Sequence, residues 1–142
     1  MEVVSLSSDD SRRLMARVAG PAALLVAKMH KIAERQDEPK RLIDKDAHDA
    51  YRILVTIPTN VLAHALRRLV DDELAGRVTR DALTHLDDLF AAGPMALGSQ
   101  MAGRSEGRLG DPAVAAASCA ALAVDLLEAR DRQNPTDTPT DE

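Results

Sequence analysis

Five charged residues stand at spacings that could build a polar site. Lys28, Lys31 and Arg35 lie between Gly20 and Arg35, and Asp46 and Asp49 lie in the run D-K-D-A-H-D-A-Y-R-I-L-V from Asp44 to Val55. At about 100° per helical residue the three cations fall within about 60° of arc, at the rim of an apolar face. Asp46 and Asp49 span a similar arc at the rim of the next helix. Two such helices packed as an antiparallel hairpin would bring the rims together. The cations would then hold an anionic group such as phosphate, while a carboxylate orients them or holds a metal ion or a proton. The same pattern also describes an ion-pair seam, in which each exposed pair contributes about 0–1 kcal/mol.

Other chemically capable residues are less organised. His30, His48, His64 and His85 fall on four different predicted helices, with no H-x-x-x-H pair and no cysteine partner, so no metal site is expected. Cys119 lies in an alanine-rich helix and reads as a small buried apolar residue. Gly98-Ser99 lacks both the preceding strand and the following Lys-Ser/Thr of a phosphate loop. A helix after Thr79 would offer Arg80 but also Asp81, Asp87 and Asp88, an acidic surface unsuited to reading DNA.

The elements that must position these groups are helical. The chain has 142 residues, enough for one domain with a real core, and its only aromatics are Tyr51 and Phe90. An apolar fraction built on Ala, Leu and Val favours closely packed helices. The expected fold is all-α, a bundle of about five helices over residues 20–130, with a short β-hairpin or extended segment in 1–19 and a disordered acidic tail in 131–142. The hairpin would pair Glu2–Leu6 with Leu14–Val18 around Ser7–Asp10, because Leu14, Ala16 and Val18 alternate.

Helix one is expected from Pro21, ending before Gln36–Lys40. Helix two is expected from an Asp44 cap to Pro58, with Ala47, Ala50, Tyr51, Leu54 and Val55 inward. Helix three follows from Thr59, and helix four from a Thr79 cap with Ala82, Leu83, Leu86, Leu89 and Phe90 inward. Gly93–Gly110 holds five glycines and one proline and reads as a flexible loop or lid. Asp111-Pro112 opens a last helix that is apolar on most sides from Ala113 to Ala123, as a central helix or a self-association surface would be.

A formal net charge of −5 argues against general nucleic-acid binding. A single cysteine excludes an internal disulfide and fits a reducing compartment. No run approaches the roughly 20 apolar residues of a membrane span, and no signal peptide opens the chain. The expected setting is cytoplasmic.

Gly20–Val55 resembles the region that follows the catalytic sheet in nucleotidyltransferase-like proteins, notably the toxin subunits of type IV toxin–antitoxin (abortive infection) systems. Those proteins tend to carry a lysine on one helix, an arginine two turns later, and an (Arg/Lys)-Asp-x-x-Asp pattern opening the next helix. Here the positions are Lys28, Arg35, Lys45, Asp46 and Asp49, within about a quarter of the chain. The family's catalytic signature, a Gly-Ser followed by paired carboxylates on a strand, has no counterpart before Gly20.

The resemblance therefore implies a C-terminal helical portion without transferase activity of its own. Lys28 and Lys31 would contact phosphate, Arg35 would hold the loop or phosphate, with Lys45 beside them, and Asp46 and Asp49 would orient the cations or a metal. Nucleotide and Mg²⁺ are the implied ligands, with no resident cofactor. The contrasting expectation is a protein-interaction or homo-oligomerisation module that uses the Ala113–Ala123 helix and has no ligand site.

Overall fold

The run Ser7-Ser8-Asp9-Asp10 begins a helix, where its composition predicts a turn. A computed structural model describes residues 6–38, 43–106 and 110–132, with side chains from Gly20 onward. Over these residues the chain is all-α. It comprises α1 (Leu6–Arg35), α2 (Asp44–Thr56), α3 (Thr59–Val70), α4 (Gly76–Leu86) running into a π-helical turn (Asp87–Ala91), α5 (Leu97–Glu106) and α6 (Pro112–Arg132). No strand occurs among the described residues.

The expected hairpin is thus corrected, since Leu14–Val18 is helical and α1 starts well before Pro21. Residues 1–5, which would hold most of the first strand, lie outside the described residues, as do 133–142, which hold most of the expected disordered tail. Asp131 and Arg132 close α6. The physical reason for the correction is local. Hydroxyls and carboxylates suit the first turn of a helix, and Arg12 to Ala16 are good helix formers, which outweighs a three-residue alternation. The helix also passes through Pro21. Gly20 precedes that proline and carries no Cβ to clash with its ring, which removes the usual bar to helical backbone at this position. Pro21 has no N–H to donate to the Arg17 carbonyl, and its ring crowds that carbonyl.

Other boundaries shift for similar reasons. Ile43, not Asp44, is the N-cap of α2 and gives no side-chain cap. Pro58 does divide α2 from α3, and its carbonyl accepts from the amides of Val61 and Leu62. The α4 helix begins at Gly76, which leaves Thr79 buried within it, not capping it. Asp111 caps α6 as expected, accepting from the Ala113 amide at 2.9 Å. Within the expected glycine-rich loop Leu97–Glu106 is helical, as α5, which brings the helices among the described residues to six where about five were expected. Gly93 turns the chain at φ 142°, a region that favours glycine. Gly98 and Gly103 then let α5 lie close to its neighbours. A Cβ at Gly98 would come within 2.5 Å of the Phe90 ring, and one at Gly103 within 2.5 Å of the Pro112 carbonyl oxygen.

The helices form layers. α1 packs on α2, α3 and α4, and α6 packs on α5, α3 and the π-helical turn. α2 and α3 meet at 114° and lie between these two groups. One core runs through the layers, built from Leu25, Met29 and Ile32 of α1, Leu62 and Leu66 of α3, Leu86 and Phe90, Met101 of α5, and Cys119 and Leu126 of α6. Val55, expected inward, is 57% exposed. The α6 helix is long and apolar enough by composition to cross a membrane, contrary to the expectation from the sequence. Here its inner side, from Ala115 to Ala129, is buried in the fold, while Ala113, Val114, Ala117 and Ala121 are exposed.

Candidate functional site on the seam between α1 and α2

The two charged rims meet. The Lys28 ammonium donates to Asp46 Oδ1 at 2.9 Å and lies 3.1 Å from Asp49 Oδ2. Lys31 Nζ is 3.5 Å from Asp46 Oδ1, and Arg35 Nη1 is 3.7 Å from Asp46 Oδ2. Lys45 reaches Asp49 at 3.2 Å, one turn along α2. All six residues expected at the site are therefore brought together.

Burial divides their roles. The Asp46 side chain is only 6% exposed and Lys28 14%, whereas Lys31 and Lys45 are 43% and 76% exposed. The hydrogen bond to Asp46 raises the Lys28 ammonium above its ordinary value, against the opposing effect of burial. Burial pushes Asp49 up, but hydrogen bonds from Lys28 and Lys45 outweigh it and hold the carboxyl below its ordinary value. Arg35 Nη1 and Asp46 Oδ2 are both buried without a hydrogen-bond partner, facing each other across their 3.7 Å gap. Four cations around two carboxylates leave this patch with a positive excess on a chain of net charge −5.

The opposite side of α2 carries a second polar contact that sequence reasoning missed. Arg104 of α5 forks onto the Asp44 carboxylate at 3.0 and 2.9 Å, and Ser105 Oγ donates to the Asp44 carbonyl at 3.2 Å. The bond to Asp44 raises the Arg104 guanidinium above its ordinary range. His48 Nε2 lies 2.5 Å from Glu106 Oε1. These partners are 58 to 61 residues apart, so no local signal links them. α2 is thus held on one side by α1 and on the other by α5, which fixes Asp46 and Asp49 in place.

The remaining candidates resolve simply. Ser99 is fully buried and donates to the Phe90 carbonyl at 3.1 Å, so it is a packing residue of α5. Cys119 is buried, and burial pushes its thiol up to about 12, as expected for an inert side chain. Asp81, Asp87 and Asp88 are exposed on α4 and the π-helical turn. His30 and His85 do converge, whereas His48 pairs with Glu106 and His64 is exposed on α3. Among the described residues no group of three or more His, Cys, Asp or Glu is placed to hold a metal ion. Comparison with protein-family models, curated proteins and solved structures finds no match for this chain.

Proposed function

We propose that this chain is a non-catalytic helical domain that contributes a phosphate-contacting site, in the manner of the helical portion of a nucleotidyltransferase-like protein. The observation that carries the reading is the convergence of four cations on Asp46 and Asp49 in an otherwise acidic chain. Lys28 is engaged by the two carboxylates and sets the frame. Lys31 and Lys45 present exposed ammonium groups, so these two are the groups left to meet an anion, while Arg35 faces Asp46 from the buried side. Asp46 and Asp49 keep the cations aligned and stop the patch from repelling itself apart.

The test is calorimetric titration with a nucleoside triphosphate, with and without Mg²⁺. Saturable heat that disappears in Lys31→Ala and Lys45→Ala is the expected result. Identical heats in those variants and the parent would leave only an ion-pair seam.

A second reading rests on a separate observation. Val114 is 60% exposed and shares α6 with exposed Ala113, Ala117 and Ala121, an apolar strip suited to a second copy of the chain. Sedimentation at micromolar concentration tests it. A dimer lost in Val114→Glu supports self-association, and a monomer removes it.

A further inference from the structure

The ends of α3 and α6 border a cavity of about 170 Å³, lined by Arg67, Val70 and Asp71 on one side and by Arg130 and Asp131 on the other. It shares no residue with the seam between α1 and α2. The cavity is small beside the roughly 300–1,000 Å³ of drug-sized pockets, so it admits a ligand of only a few heavy atoms. Four of its five lining residues are charged, two of each sign.

Part of this arrangement has a plain helical cause. Both helices carry arginines in their last turn, Arg67 and Arg68 on α3 and Arg130 and Arg132 on α6, where cations offset the negative end of the helix dipole. That cause does not account for how Arg130 is bonded. Its Nη2 donates to Asp131 Oδ1 at 2.6 Å, whereas its Nε is buried without a hydrogen-bond partner. Nε–H and one Nη2–H leave the same edge of the planar guanidinium in parallel, the fork that a carboxylate fills with two oxygens.

Asp131 fills only half of that fork. Its side chain is 65% exposed, so it can leave the edge of Arg130 for water at little cost. A buried donor without an acceptor is unfavourable, so a ligand that supplies both oxygens gains a bond that Asp131 does not make. The sign of the remaining lining then narrows the ligand. A bare anion would face the carboxylates of Asp71 and Asp131, and a bare cation would face two guanidinium groups. Asp71 is exposed on the α3 side, and among the described residues its carboxylate makes no hydrogen bond or ion pair, which leaves it open to a cationic group.

We propose that this cavity is a binding site for a small zwitterion of the α-amino acid class. The carboxylate of the ligand takes the Nε–Nη2 edge of Arg130 in place of Asp131, and its ammonium meets Asp71.

The experiment is an NMR titration of the full chain with alanine as the probe, following the Arg130 Nε–H signal, which is assigned by its loss in Arg130→Lys. A saturable shift of that signal with a dissociation constant of about 1 mM is expected, a strength within reach of so small a ligand. The Arg104 Nε–H, already bonded to Asp44, is the reference that stays in place. N-acetylalanine lacks the ammonium and ethylamine lacks the carboxylate, so each should bind about tenfold more weakly or worse. Arg130→Lys keeps the cation but not the fork. Read through the Asp71 and Asp131 amides, it should lose alanine by about tenfold or more while the rest of the amide spectrum shows an intact fold. Lys31→Ala should bind as the parent does. The proposal is overturned if the Arg130 signal shows no saturable shift by about 10 mM alanine, if N-acetylalanine or ethylamine binds as tightly as alanine, or if Arg130→Lys retains the parent's affinity.

Discussion

Lys28 and Asp46 are 18 positions apart in sequence, yet the ammonium lies 2.9 Å from the carboxylate in a setting that hides most of both groups. The same ammonium reaches Asp49, and Asp46 in turn faces Lys31 and Arg35. Asp46 is therefore the centre of the seam, the one carboxylate that all three α1 cations approach. Its neighbours differ from it in how much water they keep, and that difference ranks the effects of mutation.

Asp46→Ala should lower stability by about 3 kcal/mol, because removing one partner strands buried charge on the other side. Lys45→Ala should cost less than about 0.5 kcal/mol, since its ammonium is mostly in water. Urea unfolding of the two variants beside the parent measures both. Equal midpoints for Asp46→Ala and Lys45→Ala would contradict this ranking.

The seam also sets a pH window. Asp49 is held below the ordinary aspartate value of 3.8, so its contribution is present above that value and is lost as pH falls through the lower folded one. Lys28 is held above the ordinary lysine value of 10.5, so its contribution is present below that value and is lost as pH rises through the higher folded one. Both contributions are thus complete between about pH 5 and pH 9. Thermal unfolding of Asp49→Asn should show a shallower acid limb than the parent with the alkaline limb retained through Lys28 and Asp46.

Gly103→Ala should destabilise the fold by about 1–3 kcal/mol, because the added methyl meets the Pro112 backbone oxygen and α5 must move off α6. Gly98→Ala meets the Phe90 ring, a side chain that is itself fully buried and has no free direction to swing. Lower melting temperatures for both, read by circular dichroism, are the expected outcome. A Gly103→Ala variant as stable as the parent would mean that α5 is a loose loop after all.

Cys119 should resist thiol reagents in the native state at neutral pH. Its thiol is pushed up to about 12 by burial and its side chain has no exposed surface. Labelling should be complete only after denaturation. Rapid native labelling would place α6 outside the core.

Much of this architecture is legible in the residues. Leu25, Met29 and Ile32 on α1, and Leu83, Leu86 and Phe90 near the end of α4, repeat at helical spacing and are buried as that spacing requires. Pro58 and Asp111-Pro112 mark boundaries because a proline ring fixes φ and lacks a donor. The two charged rims are legible for the same reason, since a helix places residues three and four apart on one side.

Two local misreadings show where that logic stops. Leu14, Ala16 and Val18 alternate like a strand, yet the helix-forming residues around them prevail. The glycines from Gly93 to Gly110 resemble a loop because composition does not distinguish a glycine needed for mobility from one needed for close contact.

Periodicity, capping chemistry and charge spacing are properties of a few neighbouring residues, so the sequence alone determined a mainly helical core with cations on one helix rim and acids on the next. Which rims would meet depends on packing between elements far apart in the chain. Tertiary structure alone set Lys28 against Asp46, tied Asp44 to Arg104 and His48 to Glu106, and laid His30 beside His85. Those contacts follow from how buried faces share one core, a condition satisfied by the whole chain together and by no segment alone.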